Sequence, residues 1–292
     1  KKIAEVRIRD LLPRECGLSS ISFDPALGEA LLELEMPLIL EADDGALLKR
    51  IVEETGWRPN IRRKPPMESK ILVHISQLLD LRAEERSRIL RDIGERIFRT
   101  PVEATDSVLM TPLGAACQVG RSSLLITTNE SKILIDCGIN PGVSDPKLSF
   151  PRLDLDVFDL EMLDAVIISP AHLDHCGFLP FLYKHGYEGP VYCSEPTLPL
   201  MTLLLLDVFE VSSRSGTSVP YEQKDVRDTI LHTIPLRFGT VTDISPDVKL
   251  TLHNAGHILG SSIVHLHIGE GLHNLVYTGD YKYSKTALLE PS

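Results

Sequence analysis

Two histidines and an aspartate, His172, Asp174 and His175, lie within four residues of one another. They follow the apolar run Ile167-Ile168, which predicts a strand, and precede the apolar stretch from Phe178, which predicts a helix. Neutral imidazole and carboxylate are donors that suit a borderline cation such as zinc. A tight loop between a strand and a helix lets such neighbours converge, so this segment predicts a metal site.

Three further predicted strand ends carry similar donors. His257, Asp280 and Asp136 each follow an apolar, β-rich run. Gly256 and Gly279 stand immediately before the first two, and glycine permits a sharp backbone turn at a ligand. We therefore expect the four places to meet in one centre.

Other interpretations of these residues compete with the metal site. Taken alone, the His-Leu-Asp-His segment also fits a helix N-terminus at which Asp174 accepts backbone N–H groups and the histidines are exposed. Cys176 fits a small packing residue better than a thiolate ligand. His265 and His267 alternate along a predicted strand and fit ordinary sheet residues. His253 could replace a missing ligand only in a distorted site.

Composition narrows the class of protein. The 292 residues are 43% hydrophobic, enough to bury a sizeable core, and 30 Lys+Arg against 41 Asp+Glu give a net charge of −11. Any contact with nucleic acid is therefore expected to be local. Five scattered cysteines favour a reducing, cytoplasmic location. No apolar run reaches the roughly 18 residues of a membrane span, and the first residue is not methionine, which suggests part of a longer chain.

The element pattern predicts three parts. In residues 1–66, apolar and polar residues first alternate in two short runs typical of a hairpin, and apolar residues then recur at helical spacing. This pattern predicts a small α+β domain. Residues 67–101 are rich in charged residues, and their apolar residues recur at helical spacing. This segment is predicted to be a helical connector. Residues 102–292 carry short β-branched runs separated by helical stretches, which predict an α/β layered domain.

These motifs together resemble a known family. The runs Leu134–Gly138, His172–His175, His253–Ser261 and Tyr277–Asp280 are similar to the metallo-β-lactamase core of the β-CASP nucleases, and most of all to the archaeal cleavage-and-polyadenylation-specificity-factor-like ribonucleases. The resemblance covers nearly the whole chain. It implies an α+β KH-like domain over 1–66, followed by an α/β metallo-β-lactamase core of the αββα type over 102–292. This core is expected to be incomplete and to lack the β-CASP domain.

The resemblance also implies a zinc centre. By position, His172, His257 and Asp280 would hold one zinc ion, and Asp174, His175 and the shared Asp280 a second. Asp174 and Asp280 would be the catalytic carboxylates, and Asp136 would support the ligands from behind. The family cleaves RNA at two zinc ions during 3′-end formation and transcription termination.

The sequence departs from the family pattern at three places. Pro170 stands where the family motif has its first histidine, which leaves the first zinc three protein ligands. The sequence ends at Ser292, before the later family histidines. The stretch Ala42-Asp43-Asp44-Gly45 stands where a KH domain has its phosphate-gripping GxxG loop. Its carboxylates would repel phosphate, and Asp43 or Asp44 fits a helix cap better.

RNA contacts are expected instead from a basic stretch formed by Arg58, Arg62, Arg63, Lys64 and Lys70, although such a run also fits a solvated face. The leading hypothesis is a zinc-dependent ribonuclease with impaired activity. The alternatives are an inactive paralogue that binds RNA or a partner, such as a second copy or an active relative, and an unrelated hydrolase such as a β-lactamase or glyoxalase on the same fold.

Overall fold

A computed structural model describes residues 1–43, 45–143, 145–216 and 218–292. The chain divides into two compact units, Lys1–Leu90 and Arg91–Ser292. Asp44, part of the expected phosphate loop, lies outside the described residues. Within the described part, no helix combines the length and apolar character that crossing a bilayer requires.

The first unit is an α+β layer. Its strands are β1 (Leu18–Asp24), β2 (Glu29–Leu34) and β3 (Arg58–Arg63), and its helices include α1 (Lys2–Leu11) and α2 (Ala46–Thr55). Strands β1 and β2 form the predicted antiparallel hairpin, whereas β3 joins β2 in parallel. Helix α2 stops at Gly56, whose φ of 71° lies in the left-handed region that favours glycine.

One apolar layer holds this unit together. Alternate residues of β2 point inward, and Ala30, Leu32 and Leu34 are fully buried against Ile8 of α1 and Ile51 of α2. The period of two in β2 and the helical period of α1 and α2 thus meet on one face. The hairpin and helix predicted from the sequence are confirmed.

Two helices follow β3. Helix α3 spans Lys70–Leu81 and α4 spans Ala83–Ile97, as the helical apolar period predicts. The boundary between the two units falls within α4. The three-part division at residues 66 and 101 stays a prediction.

The second unit contains a six-stranded mixed sheet. Its order is β4 (Leu109–Gly114), β5 (Ser123–Thr127), β6 (Lys132–Ile135), β7 (Ala165–Ile167), β8 (Val191–Ser194) and β9 (Thr233–Leu236). The first three strands are antiparallel neighbours, and β6 to β9 run parallel. The parallel strands therefore present their carboxyl ends at one edge.

A second sheet is antiparallel throughout. Its order is β10 (Thr242–Ser245), β11 (Val248–Asn254), β12 (Ser262–Ile268) and β13 (His273–Tyr277). The helices of this unit are α5 (Pro146–Ser149), α6 (Leu173–Cys176), α7 (Leu179–Lys184), α8 (Thr197–Ser215) and α9 (Gln223–His232).

The two sheets share one core. Ile133, Ile135 and Ile167 of the mixed sheet pack with Leu250, Leu252, Val264 and Leu266 of the antiparallel sheet, and all are 0% exposed. Strands such as β7 and β8 are buried along their whole length, as expected for the interior of a layered α/β domain. The predicted α/β layering is confirmed.

Candidate metal centre

The centre lies where strands of both sheets end. Asp136 directly follows β6 and adopts a left-handed φ of 61°. His172 stands at the N-cap position of the short helix α6, a few residues after β7. His257 follows β11, and Asp280 follows β13. The segment expected as a loop is thus a helical turn, which orients Asp174 and His175 from a rigid backbone.

Three side chains converge as a candidate ligand set. The ligand atoms of His172, His257 and Asp280 all lie within 4.8 Å of one another, and all three side chains are half-buried. The His172 Nδ1 atom is 3.7 Å from Asp280 Oδ2, and the His257 Nε2 atom is 3.4 Å from the same oxygen. Within the described residues this is the one group of three such donors at this spacing. Two imidazoles and a carboxylate are donors that zinc accepts, so the residues present fit that ion.

His175 and Asp174 approach the same carboxylate from α6. His175 Nε2 lies 3.6 Å from Asp280 Oδ2 and 3.8 Å from Asp174 Oδ2. Asp280 therefore faces three imidazoles with one oxygen, whereas Asp174 is near His175 alone among the measured pairs. The expected first ligand set is more compact than the expected second set.

A buried carboxylate supports this arrangement. Asp136 is 0% exposed. It accepts the backbone N–H and the hydroxyl of Ser169, both at 2.8 Å, the phenol of Tyr277 at 2.9 Å, and His175 Nδ1 at 2.7 Å. Because an ionised carboxylate only accepts, His175 carries its proton on Nδ1 and turns Nε2 toward Asp174 and Asp280.

Burial and the neighbouring carboxylates have opposite effects on the pKa of His175. Burial by itself lowers the pKa of His175, but Asp136, followed by Asp174 and Asp280, raises it to about 9. The carboxylates of the site therefore attract positive charge to this place. A bound cation would take the place of that proton, so cation binding and protonation compete.

Glycine is required at two of the turns. Gly256 before His257 has a φ of 67°, and Gly279 before Asp280 has a φ of 51°, so both expected sharp turns are present. Gly138 is constrained differently, by contact: a Cβ atom there would lie 1.7 Å from the Asp174 carbonyl oxygen. The strand β6 end and the α6 turn are thus in direct backbone contact.

Backbone hydrogen bonds close that contact. The Ser122 N–H donates to the Asp174 carbonyl at 2.7 Å, Cys137 N–H donates to the His175 carbonyl at 2.7 Å, and Ile139 N–H donates to the Leu173 carbonyl at 2.9 Å. The position of the histidine turn is therefore fixed by main chain from two other segments.

The competing interpretations are resolved in part. The helix-cap alternative is wrong, because no side chain caps α6 and His175 is only 5% exposed. Cys176 is fully buried and its thiol donates to the Ala171 carbonyl, which confirms a packing role. Pro170, two residues before His172, is buried and offers no donor atom. For the phosphate-loop stretch, Gly45 occupies the N-cap position of α2 without a side-chain cap.

Two supporting residues escaped the sequence analysis. Tyr277 belongs to the Tyr-Thr-Gly-Asp run but was not assigned a role, and Ser122 carried no signal at all. The Ser122 hydroxyl lies 3.0 Å from the Tyr277 phenol oxygen, which itself donates to Asp136. Burial raises the pKa of Tyr277 above its ordinary range, so the phenol keeps the proton it donates. A tyrosine close before a ligand carboxylate was the available signal.

The expected RNA-binding residues lie in the first unit. Arg58, Arg62 and Arg63 belong to β3, the strand that ends its sheet, and Lys64 follows. Arg58 is paired with Glu29 at 2.5 Å and Lys64 with Glu35 at 3.4 Å. Part of the positive charge in this stretch is thus already compensated within the unit.

A family model decides the assignment of the second unit. A model described as a metallo-beta-lactamase superfamily domain matches residues 125–292. The chain belongs to the metallo-β-lactamase superfamily. Within this superfamily assignment, the two packed sheets and the strand-end cluster are the predicted metallo-β-lactamase fold and its candidate metal centre.

Archaeal relatives match along nearly the whole chain. The protein named "Transcription termination factor FttA" from Methanosarcina mazei is 48% identical over 98% of this chain and 45% of its own length. The protein of the same name from Methanocaldococcus jannaschii is 46% identical over 100% of this chain and 46% of its own length. These relatives confirm the predicted resemblance to the archaeal cleavage-and-polyadenylation-specificity-factor-like proteins. The chain spans about half the length of these relatives, 45% for the first.

Solved structures of the superfamily are more distant. The metallo-beta-lactamase fold protein YhfI from Bacillus subtilis is 21% identical, covers 62% of this chain and 65% of its own chain, and aligns with a TM-score of 0.39.

Proposed function

We propose that this chain is the RNA-binding and zinc-binding portion of a zinc-dependent ribonuclease acting in RNA 3′-end processing or transcription termination. The observation that carries the proposal is the convergence of His172, His257 and Asp280, whose ligand atoms lie within 4.8 Å of one another. The names of the archaeal relatives support the biological setting. Metallo-β-lactamase superfamily membership supports a hydrolytic metal centre.

The ligand roles are those that the family resemblance implies, and the spacing of the first set supports them. His172, His257 and Asp280 would hold one zinc ion, and Asp174 with His175 would bind a second more weakly, sharing Asp280. When bound, zinc supplies Lewis-acid chemistry that polarises a phosphoryl oxygen and acidifies water.

The residues of the chain supply orientation and a proton acceptor. Asp136 holds His175 through Nδ1, so that Nε2 faces the ligand cluster and can bind a cation once the cation has displaced the Nε2 proton. The Asp174 side chain is 29% exposed, so water can reach its carboxylate. One of its oxygens lies 3.8 Å from His175 Nε2, close enough for electrostatic attraction. We assign Asp174 the role of receiving a proton from water during hydrolysis.

Residues 1–66 of the first unit are proposed to be a KH-like RNA-binding domain. The hairpin β1–β2 and the strand β3 form a three-stranded sheet, and α1 and α2 cover one face of it. Arg58, Arg62, Arg63 and Lys64 on and after β3 would contact phosphates. Because Arg58 and Lys64 already pair with glutamates, RNA must compete with those pairs, and we expect modest affinity at physiological salt.

A second candidate function rests on Pro170. A buried proline stands at the position of the family's first histidine, so one donor is missing from the cluster. A paralogue that binds RNA or a partner without cleaving would tolerate that loss. The partner would be a second copy of the chain or an active relative.

The deciding experiment is the zinc content per chain, measured by elemental analysis on the wild type, Asp280→Ala and the control Asp156→Ala, which changes an exposed aspartate outside the cluster. We expect zinc in the wild type and in Asp156→Ala, and loss in Asp280→Ala. The same proteins are then incubated with labelled RNA, with zinc or with chelator. Cleavage that needs zinc and Asp280 supports the nuclease, whereas RNA binding without cleavage under any metal supports the paralogue. Absence of zinc from all three proteins refutes the metal centre.

A further inference from the structure

The outer face of the antiparallel sheet carries a row of histidines. Strands β11 and β12 bury Leu250, Leu252, Val264 and Leu266 toward the core. Since successive strand residues point to opposite faces, the alternate positions His253, His265 and His267 lie together on the other face. His253 is exposed, and the other two are partly exposed.

The rings of this row are close together. The His265 and His267 ring centroids are 4.0 Å apart, tilted by 43°. The His253 ring lies 5.8 Å from the His265 ring, across the β11–β12 pair. Two imidazoles at positions i and i+2 of one strand can therefore bind one cation together. The donor atoms of all three histidines do not lie within 4.8 Å of one another, so His253 joins the pair only when its exposed side chain rotates toward them.

One ring is already held in a suitable tautomer. His265 Nε2 lies 3.3 Å from the side-chain oxygen of Asn274 on β13. Because an amide oxygen only accepts, the proton is on Nε2 and the Nδ1 lone pair is left for a cation. Histidine ligands in metal sites commonly donate their second N–H to a carbonyl in this way.

The local charges do not prevent cation binding. Lys249 is directly opposite His267 in the strand register and would repel a cation. Its ammonium group, however, lies 3.0 Å from the Asp243 carboxylate on the edge strand β10, which draws the positive charge away from β12. The whole chain carries a net charge of −11, which attracts cations in general.

We propose that His265 and His267, with His253 as a third donor, form a second binding site for a borderline divalent transition cation such as zinc, nickel or copper. Imidazole suits these ions, and two or three nitrogen ligands leave positions for water. The site shares no residue with the His172–His257–Asp280 cluster. Bound across β11 and β12, the cation joins two strands of the sheet and stabilises their pairing.

The test uses the full chain with Ni²⁺ as the probe. Isothermal titration calorimetry at neutral pH measures the number of bound ions and their affinity. The variants are His267→Asn, His265→Asn and Asn274→Ala, and the control is His273→Asn, an exposed histidine at the start of β13 outside the row. We expect the two row variants to bind one Ni²⁺ fewer than the wild type, and His273→Asn to match it. Asn274→Ala, which frees the His265 tautomer, is expected to weaken this binding about tenfold.

A second measurement separates the two metal centres. Asp280→Ala should lose Ni²⁺ from the first cluster and keep the row site, while His267→Asn should do the reverse. Circular dichroism of each variant verifies that the sheet is folded. The proposal is overturned when folded His265→Asn and His267→Asn proteins bind as much Ni²⁺, and as tightly, as the wild type. That result would leave the proposed nuclease centre untouched.

Discussion

The Asp136 carboxylate accepts a hydrogen bond from His175 Nδ1 at 2.7 Å, although the two residues are 39 positions apart in the chain. Asp136 also receives two hydrogen bonds from Ser169 and one from Tyr277. A carboxylate with four donors is held in one orientation, and it holds the His175 ring in one orientation. The candidate centre is therefore organised before any cation arrives.

Removing the phenol of Tyr277 tests this support. Tyr277→Phe deletes one donor to Asp136 and leaves the Ser122 hydroxyl without its partner. We expect a loss of about 1 kcal/mol in the free energy of unfolding, the usual size for one hydrogen bond. Zinc retention during dialysis should also fall. Urea denaturation and elemental analysis measure the two effects.

The matched control is Tyr281→Phe, which removes the same atom from a side chain that is 55% exposed. We expect this variant to unfold and retain zinc like the wild type. Equal behaviour of the two variants would contradict the supporting role of Tyr277.

Restoring a donor at position 170 should strengthen the centre. Pro170 is buried between Ser169, which bonds to Asp136, and the α6 turn. Pro170→His adds an imidazole there, and we expect zinc to bind about tenfold more tightly. Competition with a fluorescent zinc chelator measures the affinity. Unchanged affinity, with Pro170→Ala as the control, would show that position 170 does not face the cluster.

The contact between the β6 end and the α6 turn leaves no room for a methyl group. Gly138→Ala places a Cβ atom 1.7 Å from the Asp174 carbonyl oxygen, which accepts the Ser122 N–H. We expect a destabilisation of at least about 3 kcal/mol and loss of bound zinc. In Gly142→Ala, the nearest atom is the Asn140 side-chain oxygen at 3.7 Å, so this control should be nearly neutral. Thermal unfolding of both variants decides, and similar melting temperatures would refute the close contact.

A network of hydrogen bonds around the half-buried Asp247 predicts acid sensitivity away from the metal centre. Burial raises the pKa of Asp247, but hydrogen bonds from Ser131, Thr105, Thr128 and Ser245 outweigh it and lower the pKa below the ordinary aspartate value. Thr105 and Thr128 each donate at 2.6 Å. A carboxyl group with a lowered folded-state pKa stabilises the protein above its unfolded pKa of about 4, and this stabilisation is lost as the pH falls through the lower value.

Asp247→Asn removes the titration while keeping one oxygen acceptor. We expect the wild type to be more stable than the variant near pH 6 and the difference to shrink as the pH falls below about 4. Urea unfolding at several pH values measures it, and Asp243→Asn, on the exposed end of β10, is the control. A difference that stays constant with pH would show that Asp247 titrates alike in the folded and unfolded chain.

Much of the centre was evident in the sequence, because its signals are local. His172, Asp174 and His175 lie within four residues of one another. Gly256 and Gly279 indicate the turns before His257 and Asp280. Short β-branched runs and a helical period likewise predicted the strands and helices. Such signals depend on neighbours in the chain, and a single sequence displays them directly.

Only the tertiary structure shows which distant residues these local segments contact. Three contacts depend on which strands pair and in which register. They are the hydrogen bonds from Ser122 through Tyr277 to Asp136, the contact of the β6 end with Asp174, and the proximity of His253 to His265. Ser122 and Tyr277 are 155 positions apart, and no local period relates them. Strand order and register are set by burying both sheets in one core, a property of the whole chain, so these contacts follow only once the sheets have packed.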